Sequence, residues 1–249
     1  MSTFKKKMKK FGRQVWELFK ASIPSILMYF CAGMVMMMIT MKDDGFAWDN
    51  SKLIWSIVCV AVAVGYNALV CYAQGGQGYE MLVSGNMKRH SAADFGVEYK
   101  ISTHKEAKEY RGWKGFAMGG FIAIFTIIGG IIFGVNGEVV NSLYVGEQQN
   151  YGTGFGILII ACLLFSGWSL LPIFFMNANG IAVSYFVSIA FAIIPIVMTG
   201  VMYIAGAYGK RKKNIRAQEL ADRAAAAETA KPKKINYGGL PGTKPKKRK

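Results

Sequence analysis

Residues 148–209 read QQNYGTGFGILIIACLLFSGWSLLPIFFMNANGIAVSYFVSIAFAIIPIVMTGVMYIAGAYG. Between Glu147 and Lys210 there is no Asp, Glu, Lys, Arg or His. An α-helix needs about 20 apolar residues to cross a bilayer core of roughly 30 Å, so this run is long enough for two crossings. It marks an integral membrane protein. The fold class follows: all-α, a polytopic helical membrane protein with about five hydrophobic membrane segments, a cytosolic loop and a basic disordered tail.

Working outward from this run, the charges fall into blocks. The chain has 249 residues and a formal net charge of +16. Of its 30 Lys and Arg, seven lie in residues 1–20, seven between Lys88 and Lys114, and fourteen from Lys210 onward. Apolar stretches separate the blocks, the pattern of a membrane protein with basic cytoplasmic segments rather than of a nucleic-acid binder. Five regions result. Residues 1–22 are a basic amphipathic N-terminal segment. Residues 23–73 hold the first two membrane helices, 74–114 a polar cytosolic loop, 115–209 the remaining membrane helices, and 210–249 the basic C-terminal tail.

In the N-terminal segment Phe4, Met8, Phe11, Val15 and Leu18 recur at helical spacing among lysines. Two readings stand: an interfacial helix on an anionic leaflet, or a charged lead into the first span. The first apolar run, Ile23 to Met41, exceeds a signal-peptide core, and Pro24 is expected in its first turn, where proline is tolerated. Trp48 and Trp55 flank the next boundary as interfacial aromatics do. Leu53 to Ala73 forms the second span, with Tyr66 and Asn67 deep in it. Gly75, Gly76, Gly78 and Gly85 are expected to make the start of the polar loop flexible, and its second half reads as a solvated helix.

Gly115 to Val135 is the third span. Gly115, Gly119 and Ala123 step by four, as do Thr126, Gly130 and Gly134. Small residues at that spacing let a second helix approach closely, which makes Gly115, Gly119, Gly130 and Gly134 the candidate helix-packing residues. In the long uncharged run, Ser166-Gly167-Trp168-Ser169 and Pro172 interrupt the apolar pattern, and Asn177 to Gly180 reads as a tight turn.

The positive-inside rule places residues 1–20, 74–114 and 210–249 in the cytoplasm. Two full crossings within 148–209 would put Lys210, Arg211, Lys212 and Lys213 outside. Two solutions remain: the tail lies outside, against this bias, or one part of 148–209 is re-entrant and the tail stays cytoplasmic; the second is the expectation. Those four cations are the candidate contacts to anionic lipid headgroups.

No Asp, Glu, Lys, Arg or His lies in any apolar segment, which argues against proton relays, voltage sensing and intramembrane hydrolysis. The four cysteines sit in apolar runs without metal spacing and read as small buried hydrophobes. His90 and Asp94 at i, i+4, with His104 nearby, fall short of a metal site. No catalytic residue, cofactor or metal is expected, nor a specific nucleic-acid partner. The expected role is a non-enzymatic packing or accessory subunit, with the bilayer, other membrane subunits or a second copy as partners. The alternative is a small-solute channel or carrier lined by Asn67, Ser166, Asn177 and Asn179. The expected location is the plasma membrane of a bacterium.

Overall fold

The computed structural model describes residues 2–42, 45–46, 50–94, 108–140 and 153–230. Its order is α1 (Ser2–Thr40), α2 (Asn50–Asp94), α3 (Trp113–Val135), α4 (Thr153–Ser166), a 3₁₀ turn (Gly167–Leu170), α5 (Leu171–Ala178), a 3₁₀ segment (Tyr185–Ala192) and α6 (Ile193–Ala230). A two-residue antiparallel pairing of Met41–Lys42 with Gly45–Phe46 follows α1. Five helical stretches among the described residues are long and apolar enough to span a bilayer. Helix is the outcome that lipid dictates, because every backbone N–H and C=O must find a partner within the protein.

The buried stripe of α1 runs Leu18, Ser22, Ser25, Tyr29, Ala32, Met36, steps of three and four that place one face inward. Helix α2 buries Ser56, Ala63, Asn67, Cys71, Gly75 and Gly78. Helix α3 buries Gly115, Met118, Gly119, Ile122, Thr126, Gly129, Gly130 and Phe133. The opposite faces expose large aliphatics, such as Ile54, Val58, Val62 and Leu69 on α2 and Ile124, Ile127, Ile128 and Ile131 on α3. In water these would be contiguous apolar patches; against lipid they are the matched surface.

Side-chain pairs fix the direction of each element. The Gln74 amide donates to the Ala21 carbonyl (2.8 Å), so α1 and α2 run antiparallel. The rings of Phe19 and Phe121 lie 5.6 Å apart, so α3 starts level with the charged part of α1. Thr199 Oγ1 donates to the Gly115 carbonyl (2.9 Å), Tyr110 stacks on Tyr203 at 5.4 Å, and Lys210 pairs with Glu80 at 2.6 Å. Residues 17–21, 74–81, 108–118 and 199–210 therefore share one end of the bundle, called here the basic end.

At the far end, a Cβ on Gly134 would strike the Phe186 ring, and one on Gly137 would lie 3.4 Å from Tyr185. The chain from Tyr185 thus runs antiparallel to α3, from the far end to the basic end. The preceding segment follows a different path. Gly33 faces the Leu164 backbone, and Trp168 packs on Tyr29 at 5.4 Å, so α4 descends from the far end to mid-depth. Helix α5 does not continue: Phe174 meets Tyr185 edge-on at 6.1 Å, and Asn177 Oδ1 accepts from the Val183 N–H (2.9 Å). Residues 153–178 leave the bundle by the end at which they entered.

Cys71 and Cys162 are buried as expected, but Cys31 is exposed and Cys59 half-buried. Three further expectations need correction. Pro24 lies in the interior of a 39-residue helix, not in a first turn. The helix continues unbroken through the N-terminal basic segment. Pro24 has no N–H to offer the Lys20 carbonyl, and Gln74 takes up the adjacent Ala21 carbonyl, the kind of outside support that lets proline persist in membrane helices. Second, α2 continues to Asp94, so Gly75, Gly76, Gly78 and Gly85 lie inside a helix rather than in a flexible loop. Gly75 meets the Tyr203 backbone there, and a helix is the conformation that allows the close crossing. Third, Lys114 belongs to the first turn of α3 and is buried. His104, most of the second half of the polar loop, and the tail beyond Ala230 lie outside the described residues.

Candidate functional site: a cavity at the basic end and a sealed break at mid-depth

Two places concentrate polar groups inside the bundle. The first is a cavity of about 540 Å³ at the basic end. Helix α1 contributes Glu17, Leu18, Lys20 and Ala21, and α2 contributes Gln74, Gln77, Gly78 and Met81. The approach to α3 adds Lys108, α3 adds Lys114 and Met118, and α6 adds Tyr203. Leu18, Met118 and Tyr203 form one buried apolar cluster. Lys20 pairs with Glu17 at 3.2 Å and sits 5.4 Å from the Trp16 ring centroid. The buried Lys114 ammonium donates to the Glu109 carbonyl, and the Tyr110 N–H donates to the Gly78 carbonyl (2.9 Å), closing the chain over α2. The heads of Lys20 and Lys108 reach water while that of Lys114 is satisfied by a carbonyl, and glycine at 78 leaves room for the chain at Tyr110.

The second place is the break between α4 and α5. Ser166 Oγ bonds to the Cys162 carbonyl, and Ser169 Oγ donates to the Ser166 carbonyl (2.7 Å), so local hydroxyls take up carbonyls that the interrupted helix frees. Ser166, Gly167, Trp168, Ser169 and Leu170 are all buried. Gly33 and Gly129 make this depth accessible: a Cβ on Gly33 would overlap the Leu164 backbone, and one on Gly129 would overlap the Ser166 hydroxyl. Around the break, the Tyr29 hydroxyl lies beside Asn67 without closing a hydrogen bond of good geometry. Asn67 Nδ2, Thr126 Oγ1 and Trp168 Nε1 are likewise buried without a partner among the described residues.

The residues singled out from sequence fall as follows. A Cβ on Gly115 would lie 2.6 Å from Tyr203 Cβ, and one on Gly119 would lie 2.6 Å from Ile196 Cα. Gly130 faces Ser188 and Ile189, and Gly134 faces Phe186. All four glycines therefore line the seam between α3 and the chain from Tyr185 onward. Lys210 pairs with Glu80, while Arg211, Lys212 and Lys213 are exposed. Asn67 and Ser166 are buried near the break. Asn177 and Asn179 build the far-end turn, where Asn179 donates to the Phe175 carbonyl (2.7 Å) and Gly180 takes φ +80°. None of these four lines the cavity at the basic end.

Sequence reasoning missed Gly33, Gly75, Gly129 and Gly206, all of which meet another element's backbone or a buried hydroxyl. Gly130 stands in a four-residue step with Thr126 and Gly134, whereas Gly129, one position away, stands outside it. No group of three or more His, Cys, Asp and Glu with metal-ligand geometry occurs among the described residues. No family model, curated protein or solved structure matches this chain.

Proposed function

We propose that this protein is a non-catalytic accessory subunit of a membrane complex, with four crossings and one re-entrant hairpin, and with its basic end in the cytoplasm. The single observation that carries the reading is the direction of residues 153–178. They enter and leave at the far end, so the cationic segments gather at the other end without breaking the positive-inside bias. The break at mid-depth is buried in protein, one of the two settings in which irregular backbone is tolerated there. A body closed in this way offers packing surfaces to the bilayer and a charged face to a cytoplasmic partner.

The experiment is extraction of the tagged protein from bacterial plasma membrane in its native lipid. A stoichiometric partner that is lost when Lys210, Arg211, Lys212 and Lys213 are all changed to Gln supports the reading. A single species that conducts a neutral solute in proteoliposomes overturns it. That second result would favour the channel or carrier, for which the motive is the set of buried polar atoms at Tyr29, Asn67, Thr126 and Trp168 that lack partners.

A further inference from the structure

We propose that the cavity at the basic end holds the headgroup of an anionic phospholipid. Its volume of about 540 Å³ falls within the size class of small-ligand sites, about 300–1,000 Å³. It straddles the depth at which α1 changes from charged to apolar: Glu17 and Lys20 line it together with Leu18 and Ala21. That is the depth of lipid headgroups, and the lining is graded to match, with Lys20 and Lys108 exposed, Lys114 buried, and the apolar cluster of Leu18, Met118 and Tyr203 beside it.

The charge balance selects an anion. Lys20, Lys108 and Lys114 line the cavity with Glu17. Arg111 and Glu109 are the neighbouring charges that act on Lys114. Four cations thus stand against two carboxylates. The Glu17 carboxylate already holds Lys20 at 3.2 Å, and a basic residue at a membrane surface contributes about 1 kcal/mol to the binding of anionic lipid.

Gln74 adds a second requirement, a hydrogen-bond donor beside the anion. Its Nε2 donates to the Ala21 carbonyl at 2.8 Å, which fixes the amide and leaves Oε1 buried without a hydrogen-bond partner. An acceptor there repels a phosphate oxygen and calls for a donor. A headgroup that carries a hydroxyl or ammonium beside its phosphate supplies both halves: the phosphate for the lysines, and the donor for Gln74. Glycerol and serine headgroups have this chemistry. Inorganic phosphate lacks the apolar portion that the cavity floor would cover.

The test uses the full-length protein, stripped of lipid in detergent and titrated with phosphatidylglycerol or phosphatidylcholine under native mass spectrometry. Millimolar inorganic phosphate serves as the competitor. The expected result is one tightly held phosphatidylglycerol that phosphate does not displace, with weaker retention of phosphatidylcholine. Lys108→Gln, at an exposed position, should weaken the first binding event about fivefold, the loss of one surface cation's contribution, and Lys108→Arg should restore it. Ala21→Phe, which fills the cavity, should abolish that event while leaving weaker binding at the tail. Equal binding by the wild type, Lys108→Gln and Ala21→Phe would overturn the proposal, because the lipid would then sit elsewhere. Displacement by phosphate alone would also overturn it, by assigning the cavity to a free anion. Should Ala21→Phe fail to fold, the Lys108 pair decides by itself.

Discussion

The uncharged run contains two segments of nearly the same composition that follow different paths. Residues 153–178 descend to mid-depth and return, while the chain from Tyr185 to Tyr208 continues from the far end to the basic end. Both contain a proline near the start of a helix, Pro172 in α5 and Pro195 in α6, and both contain 3₁₀ backbone. Apolarity and proline therefore do not decide the path. The turning segment is distinguished by what receives it. Its break lies against two glycines, Gly33 and Gly129, and its return is held by Asn177 bonding to Val183. The continuing segment lies in the groove of α3 made by Gly115, Gly119, Gly130 and Gly134. Hydropathy licenses entry into the bilayer; small residues on the neighbouring helices determine how far the chain goes.

The largest effect that would break this comparison is expected at the hairpin's seat. Gly33→Leu and Gly129→Leu place a side chain where the Leu164 backbone and the Ser166 hydroxyl lie, and overpacking of this kind costs about 1–3 kcal/mol, occasionally more. Thermal unfolding in detergent should show both variants well below the wild type. Gly65→Leu and Gly120→Leu, with nothing within 4 Å of the added Cβ, should unfold close to it. Four similar melting temperatures would mean that glycine does not seat the hairpin.

Next in size are the glycines of the continuing segment. Gly130→Leu should lower the melting temperature by less than the Gly33 variant, because the closest atoms there are movable side chains of Ser188 and Ile189, and Gly119→Leu by an amount nearer to it, because the Ile196 and Pro195 backbone stands in the way. Unchanged stability in both would place α3's small-residue face against lipid rather than against the chain.

Tyr29→Phe sharpens the contrast with opposite sign. Removing a buried hydroxyl that lies beside Asn67 without closing a hydrogen bond of good geometry should leave stability equal or raise it by up to about 1 kcal/mol. A clear loss of stability would mean that the hydroxyl holds a water or solute at the break, and the sealed-body account would give way to a wet pathway.

The smallest effect is expected at Lys210 and Glu80. Their 2.6 Å pair is partly exposed on both sides, and exposed ion pairs contribute about 0–1 kcal/mol. Glu80→Gln should shift the melting temperature barely at all, and less still at high salt. A large, salt-resistant shift would mean that this pair, rather than glycine packing, ties α2 to α6.

Much of this architecture was legible in the sequence because charge placement and apolar length are one-dimensional properties. The interruption at Ser166 to Pro172 and the Asn177 to Gly180 turn were visible as breaks in composition. The direction of α5 was not legible: the charge conflict at Lys210 and the break at Ser166 to Pro172 raised a re-entrant segment somewhere in 148–209, but nothing in LPIFFMNA specifies a direction. The reach of α2 to Asp94 was hidden because three of its glycines, which weaken an isolated helix, are placed where α6 and the chain at Tyr110 approach closely. The cavity was invisible for a similar reason: Glu17, Gln74, Lys108 and Tyr203 come together only when four distant parts of the chain share one end.

Four crossings and a re-entrant hairpin fix which side of the membrane each end of the uncharged run reaches. In a variant lacking Cys31, Cys59, Cys71 and Cys162, single cysteines at Ser51, Asn179 and Ala230 are exposed in turn to a membrane-impermeant thiol reagent on intact cells. Ser51→Cys and Asn179→Cys should label from outside, and Ala230→Cys only after the membrane is broken. Protection of Asn179→Cys in intact cells, or labelling of Ala230→Cys there, would contradict the four crossings and the re-entrant hairpin.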